Sequence, residues 1–210
     1  MTTGLTLKSL RITRGETELL AIDTNVPSGA VLSVMGPSGA GKSTLLAALT
    51  GTLAPAFQLQ GRVILNGRDI TNLPTEARRV GILFQDDLLF PHLSVGQNMA
   101  FGLTKGGTRA ERRAKIETAL TEVGLEGFFE RDPATLSGGQ KARIALMRML
   151  LSSPEALLLD EAFSGLDPAL REQIRALVFT RARTLNLPVV MVTHDPADAE
   201  AAGGPILKIG

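Results

Sequence analysis

Cysteine, tyrosine and tryptophan are absent from this chain of 210 residues, and its eight phenylalanines are its whole aromatic complement. Without cysteine there is no disulfide, no thiolate metal site and no thiol nucleophile, a composition compatible with a reducing compartment. An excess of charge of either sign is missing too. The 22 Lys and Arg nearly cancel the 21 Asp and Glu, leaving +1, so neither a nucleic-acid stripe nor an anionic-lipid anchor is expected. Residues 1–30 have neither the basic start nor the continuous apolar core of a signal peptide. No run of about 18 apolar residues occurs, so no segment reads as a membrane span. A membrane role is expected only through a partner.

What is present suffices for a sizeable core, since 44% of the residues are hydrophobic. The length suits one large domain, or a domain with a subdomain. Short apolar, β-branched runs recur at wide spacing with helical patterns between them, as in a parallel α/β sheet. Ala30–Met35, Val80–Phe84, Ala156–Leu159 and Val189–Val192 read as core strands. Ser43–Thr50 reads as a helix with Gly51 as its C-terminal cap. From Ala169 to Arg181, Leu170, Ile174, Leu177 and Val178 share one helical face. Residues 88–150 are mostly helical in pattern: Thr108 and Glu111 have capping-box spacing before a face of Ile116, Ala119, Leu120 and Val123. This stretch is expected to be a helical insertion in the α/β core. Residues 1–30 and Gly61–Asn66 read as antiparallel β material, and a last apolar strand precedes the C-terminus.

Four chemically loaded positions follow strands. Gly36-Pro37-Ser38-Gly39-Ala40-Gly41-Lys42-Ser43 follows the first, Gln85 the second, Asp160-Glu161 the third and His194 the fourth. Ligands of open parallel sheets bind outside the carboxyl ends of the strands, so one phosphate site is expected there. The glycine string has the G-x-x-x-x-G-K-[ST] form, in which backbone N–H groups turn onto phosphates at a helix N-terminus. Lys42 adds a point charge for the β- and γ-phosphates, and the Ser43 hydroxyl is placed to ligate Mg²⁺. Chance produces this string in about one chain in a hundred of this length at average residue usage, so a mere glycine-rich turn is a poor account of it. Asp167, followed by Pro168 and an amphipathic run, reads as a helix N-cap with proline at the first helical position. A further helix is expected from Gly139 to Leu151, whose N-terminal Ser137, Gly138 and Gly139 could hold an anion by the same dipole logic.

The segment Leu136-Ser137-Gly138-Gly139-Gln140 is the signature of ABC-type ATPases among P-loop enzymes. With the glycine loop upstream, the chain resembles the nucleotide-binding subunit of an ABC transporter, and the motifs follow in that family's order along essentially the whole sequence. The resemblance implies an α/β P-loop NTPase core with a mostly parallel sheet, an antiparallel β subdomain and an inserted helical subdomain, in one ATPase domain over 1–210. It implies ATP and Mg²⁺, with residues 36–43 and Thr44 at the nucleotide and Ser43, Gln85 and Asp160 at the metal. Glu161 is then the general base, His194 the γ-phosphate switch and Gln85 the glutamine that touches metal and water. Ser137, Gly138, Gly139 and Gln140 would grip the γ-phosphate held by another subunit, and Ser164-Gly165-Leu166-Asp167 would cross the dimer. The implied assembly is an ATP-sandwich dimer of two copies on transmembrane permease subunits, at the cytoplasmic face of the plasma membrane, with an extracytoplasmic solute-binding protein beyond it.

Phe84-Gln85 through Phe90-Pro91-His92-Leu93-Ser94-Val95-Gly96-Gln97-Asn98 looks most like small bacterial binding-protein-dependent importers, where it would receive a coupling helix of the permease. A soluble ABC ATPase without a permease, as in iron–sulfur assembly, is the alternative. Three departures stand out. Ala162 replaces the usual proline after the glutamate. Thr13-Arg14 stand where an adenine-stacking aromatic is usual, so weaker ATP binding or base discrimination is expected unless Arg14 stacks instead. The sequence also stops at Gly210 without the regulatory extension of some importers, as expected of a minimal or trimmed subunit.

Overall fold

The computed structural model describes residues 3–210; residues 1 and 2 of the expected N-terminal β stretch lie outside them. The chain begins with β1 (Gly4–Arg14), β2 (Thr17–Pro27), β3 (Val31–Met35), α1 (Lys42–Thr50), β4 (Gln58–Leu65), β5 (Arg68–Asp69), α2 (Thr75–Arg78) and β6 (Val80–Phe84). Three α-helices follow, α3 (Val95–Ala100), α4 (Arg109–Glu122) and α5 (Gly138–Leu150), with a short 3-10 turn at Pro133–Thr135 before the last. The chain then returns through β7 (Ala156–Asp160), α6 (Pro168–Thr184), β8 (Val189–Thr193), α7 (Pro196–Ala202) and β9 (Ile206–Lys208).

Two compact units result, one from residues up to Ile82, Glu155–Glu161 and Phe179–Gly210, the other from Leu83–Pro154 and Ala162–Val178. The first holds an antiparallel sheet in the order β2-β1-β4-β5 and a five-stranded sheet in the order β6-β7-β8-β3-β9. β3 pairs in parallel with β8 and β9, and β8 with β7. These strands read as unbroken apolar runs because both faces are covered: Val189–Thr193 is buried at every position. Leu5, Leu7 and Ile12 of β1 join Leu32 and Val34, Leu45 and Leu49, and Leu158 and Val190 in one core. That core fixes the carboxyl ends of β3, β7 and β8.

α1 starts at Lys42, one residue before the expected Ser43, and ends at Gly51 in the left-handed region, with φ 80° and its N–H donating to Ala47 O. A residue the sequence reading passed over finishes this terminus. Arg78, 5% exposed, donates from Nη1 to the carbonyls of Ala48 and Leu49, from Nε to Leu73 O and from Nη2 to Thr71 O. A cation at unsatisfied C-terminal carbonyls complements the helix dipole, so the helix that opens at the glycine loop is anchored at its far end.

The second unit is helical around Val95, Met99, Ile116, Leu120, Ile144 and Met147. The expected capping box of α4 is formed, Thr108 Oγ1 accepting from Glu111 N and Glu111 Oε2 from Thr108 N. Ile116, Ala119 and Leu120 are buried, and Val123 is the buried residue that ends the helix. α3 has an equivalent box from Ser94 and Gln97. On the face expected of α6, Ile174 is buried with Leu170 and Leu177 half-buried. α5 is shifted one residue N-terminally from expectation because Ser137 caps it.

Candidate nucleotide site

The first unit assembles a cationic and an acidic half at the strand ends. After β3 the chain takes left-handed turns at Gly39 (φ 85°) and Gly41 (φ 90°), conformations that suit glycine. Gly41 is the N-cap of α1 and makes no side-chain cap. The first-turn amides of Lys42, Ser43 and Thr44 therefore lack the partners a capping side chain would give, which is the arrangement that binds anions. Nothing lies within 4 Å of a Cβ built on Gly39, so that position faces open space.

Lys42 is 8% exposed, and its Nζ donates to the carbonyl oxygens of Gly36 at 2.7 Å and Pro37 at 2.9 Å. Its closest carboxylate oxygen is Glu161 Oε1, at 4.0 Å. A buried ammonium among neutral carbonyls is poised for a multiply charged anion. Asp160 ends β7, and its carboxyl is pushed above the ordinary range by burial first and the adjacent Glu161 second, with Lys42 opposing. Glu161 stands in the left-handed region at φ 47°, uncommon for a side chain of this kind, with its N–H bonded to Val192 O at 3.0 Å. From the end of β8, His194 Nδ1 approaches Glu161 Oε2 to 3.0 Å. The structure thus brings together Lys42, Glu161 and His194, with Asp160 adjoining and Ser43 one residue into α1.

A half-buried carboxyl raised by burial and by a second carboxyl beside it is the donor set of a hard divalent cation. No group of three His, Asp or Glu able to hold a metal exists among the described residues.

The second unit carries the other motif residues. Ser137, Gly138, Gly139, Gln140 and Asp167 line one open concavity of about 530 Å³. Ser137 Oγ accepts from Gln140 N, and Gln140 Oε1 accepts from Ser137 N at 3.0 Å. The Gln140 side chain thus fastens the helix start. Asp167 Oδ1 accepts from Leu170 N at 3.1 Å, as expected of the N-cap of α6. The two glycines differ: a Cβ on Gly139 would lie 2.4 Å from Leu170 Cδ1, whereas one on Gly138 meets nothing within 4 Å. Arg143 and Gln173 also line this concavity and are joined at 3.3 Å. The sequence reading missed both, though Arg143 lies one helical turn beyond Gly139, a spacing that shares a face. Gln85, exposed after β6, also belongs to this unit.

A second groove, lined by Asp87, Leu88, Leu89, Pro91, Pro133, Ala134 and Lys141, opens beside the Phe84–Asn98 segment. Its rim is held by backbone capture. Arg148 donates to the carbonyls of Asp87 and Leu88. Asn98, fully buried, accepts from Phe90 N and donates to the carbonyls of Phe90, Leu93 and Ser94. Leu88, Phe90 and Phe101 stay exposed. Burial pushes the Asp87 carboxyl up to about 6, with Asp86 adding to the shift and Lys141 and Arg148 opposing it.

Comparison with known proteins decides the family. The sequence model described as "ABC transporter" matches residues 19–164. The chain belongs to the ABC transporter family. Membership makes it an ATP-binding subunit that hydrolyses ATP to power transport. It is 49% identical over 198 residues to the Escherichia coli K12 ABC transporter ATP-binding protein YnjD, covering 94% of this chain and 91% of that one. With the thiamine import ATP-binding protein ThiQ of Jannaschia sp. CCS1 it shares 46% identity, over 93% and 84% of the two chains. Among solved structures it is similar to cbiO1 of Clostridium perfringens, part of the transporter complex cbiONQ. There the identity is 31% and the TM-score 0.80, over 93% of this chain and 80% of that one. No helix among the described residues is long and apolar enough to cross a membrane.

Proposed function

We infer that this chain is the ATPase subunit of a solute importer, working as a dimer of two copies docked on separate permease subunits. The carrying observation is the Glu161 carboxylate set between Lys42 and His194 at the strand ends. ATP lies with its phosphates on the amides of residues 39–44 and the Lys42 ammonium. Ser43 and Asp160 would hold Mg²⁺, which would supply charge neutralisation to the phosphates. Glu161 accepts the proton of a water that attacks the γ-phosphorus as the bond to ADP breaks, and His194 orients Glu161 and meets the γ-phosphate. Ser137, Gly138, Gly139 and Asp167 of a second copy close the site, so two ATP molecules are enclosed per dimer.

The groove beside Asp87 and Leu88 takes a helix of the permease, which keeps the subunit peripheral at the cytoplasmic face. The names of the relatives, thiamine import among them, favour import, with a solute-binding protein outside. The chain is read as one ATPase domain over 1–210 with a helical subdomain within it.

The test is Glu161→Gln, tagged and recovered from detergent-solubilised membranes with ATP. Retained ATP binding, lost hydrolysis and a polytopic membrane protein at stoichiometric yield are expected. Recovery from the soluble fraction with no membrane partner would overturn the importer reading in favour of a soluble ABC ATPase. Unimpaired hydrolysis would overturn the role of Glu161.

A further inference from the structure

His194 presents a puzzle of positioning. Its side chain is 61% exposed, so packing does not set where the imidazole points, yet Nδ1 meets Glu161 Oε2 at 3.0 Å. The backbone on either side must hold it. Thr193, the last residue of β8, and Asp195, the N-cap of α7, are both tied into one relay. The Asp195 N–H donates to Thr193 Oγ1 at 3.0 Å, and Thr193 Oγ1 donates in turn to Asp198 Oδ2 at 3.2 Å. The Asp195 side chain turns forward instead, accepting from Ala197 N at 2.8 Å.

Asp198 is the third residue of α7 and only 1% exposed. In a capping box the acid at that position reaches back directly to the N-cap N–H. Here the Thr193 hydroxyl is interposed, and the residue bracketed by the two bonds is His194. The relay grips the end of β8 as well as the start of α7, so strand, turn and helix are joined with the histidine at their apex. A carboxylate is seldom buried this fully without a strong partner, and the Thr193 hydroxyl is one that connects it to the site.

We propose that Asp198, acting through the Thr193 hydroxyl, is a positioning residue that fixes the turn from which His194 reaches Glu161. Asp198 touches neither nucleotide nor water. Its removal leaves ATP binding intact and lets the imidazole wander, which lowers turnover. The proposal rests on the reading of Glu161 and His194 given above.

The experiment measures steady-state ATPase kinetics and thermal unfolding of the full chain for Asp198→Ala, Asp198→Asn, Thr193→Val, His194→Ala and the double variant Asp198→Ala with His194→Ala. Displacement of a catalytic group by about 1 Å can lower rate about 100-fold, so Asp198→Ala should reduce kcat between about 10- and 100-fold with the KM for ATP unchanged. Asp198→Asn, whose Oδ1 still accepts from the hydroxyl, should recover most of that loss. Thr193→Val, which keeps the branched shape and removes the relay, should reproduce it. In the His194→Ala background, Asp198→Ala should have no further effect on kcat, because there is no imidazole left to place. A merely structural role predicts the opposite pattern: a lower unfolding temperature with kcat kept, or the same fold loss with and without His194, and either result overturns the proposal. If Asp198→Ala does not fold, Thr193→Val and Asp198→Asn decide. Full turnover of His194→Ala would overturn the reading of the site itself, whereas its loss beside a fully active Thr193→Val overturns the relay alone.

Discussion

The two oxygens of the Glu161 carboxylate face different partners: Oε2 lies 3.0 Å from His194 Nδ1 and Oε1 lies 4.0 Å from Lys42 Nζ. The residue that makes this possible sits at φ 47°, a conformation that costs about 1–3 kcal/mol for a side chain other than glycine. The pairing of its N–H with Val192 O holds it there. With the backbone in this conformation, the carboxylate lies between Lys42 at the glycine loop and His194 at the end of β8.

If His194 serves to aim Glu161, the two act as a unit. His194→Ala should lower kcat by about 100-fold, as expected of a misaimed base, and leave the KM for ATP nearly unchanged. Added to Glu161→Gln it should slow turnover no further, the non-additivity of groups that work together. Single-turnover hydrolysis with saturating ATP separates the outcomes. An additive double variant would mean that His194 acts on the phosphate independently of Glu161.

Base recognition is open to a direct test. Arg14 ends β1, where an adenine-stacking aromatic is usual in the family, and its guanidinium carbon stands 6.0 Å from the centre of the Phe57 ring. The neighbouring hairpin strand approaches the glycine loop, since a Cβ on Gly41 would lie 3.9 Å from Leu19 O. A base stacked on an aromatic gains about 1–3 kcal/mol, so Arg14→Tyr should tighten ATP at least about fivefold. Affinity for inorganic tripolyphosphate, which has no base, should stay the same. Unchanged ATP affinity by calorimetry would show that Arg14 already serves as the platform or that the base lies elsewhere.

Strand ends and helix starts were readable because they depend on local chemistry. Gly41-Lys42-Ser43, Thr108 with Glu111, and Asp167-Pro168 each carry their geometry within four residues. The expected Gly51 cap and the core strands Val80–Phe84 and Val189–Val192 were equally local. What escaped the reading is tertiary. Nothing near Arg78 in the sequence announces that its guanidinium closes the far end of α1, 30 residues away. Asn98 reads as a surface polar residue until it is seen capturing four backbone groups. Gln140 is part of the signature by spelling, yet its side chain is spent on the helix cap. Motif letters therefore pointed to a candidate site, but not to which side chains are spent on local structure.

Asp87 should make stability fall as pH rises. Its folded-state pKa, pushed up to about 6 chiefly by burial, exceeds the ordinary aspartate value of about 3.9. Between these values the folded protein binds more protons than the unfolded chain, so this group's contribution declines from about pH 4 to 6 and stays low above. Lys141 and Arg148 moderate the effect and Asp86 adds to it. Asp87→Asn should therefore raise the unfolding temperature relative to wild type at pH 7.5, with the gain shrinking toward pH 4.5. A gain that is constant with pH, or grows on acidification, would assign the effect to something other than this carboxyl.

The two signature glycines should separate stability from function. Gly139→Ala places a methyl 2.4 Å from Leu170 Cδ1. That contact involves the end of a flexible side chain, so α5 and α6 can repack at a cost of about 1–3 kcal/mol, the usual penalty of overpacking. Gly138→Ala meets nothing within 4 Å and replaces glycine by a better helix former at the first turn, so its unfolding temperature should hold or rise slightly. If the surface around Gly138 is where a second copy presents its γ-phosphate, the added methyl acts only when the dimer closes. Gly138→Ala should then bind ATP normally as a monomer but fail to dimerise with ATP in a Glu161→Gln background and lose hydrolysis otherwise. Gly139→Ala should show the reverse order, a lower unfolding temperature first and an activity loss that follows it. Light scattering with and without ATP, beside thermal unfolding, reads both. A Gly138→Ala protein that dimerises and turns over like wild type would remove this glycine from the nucleotide interface.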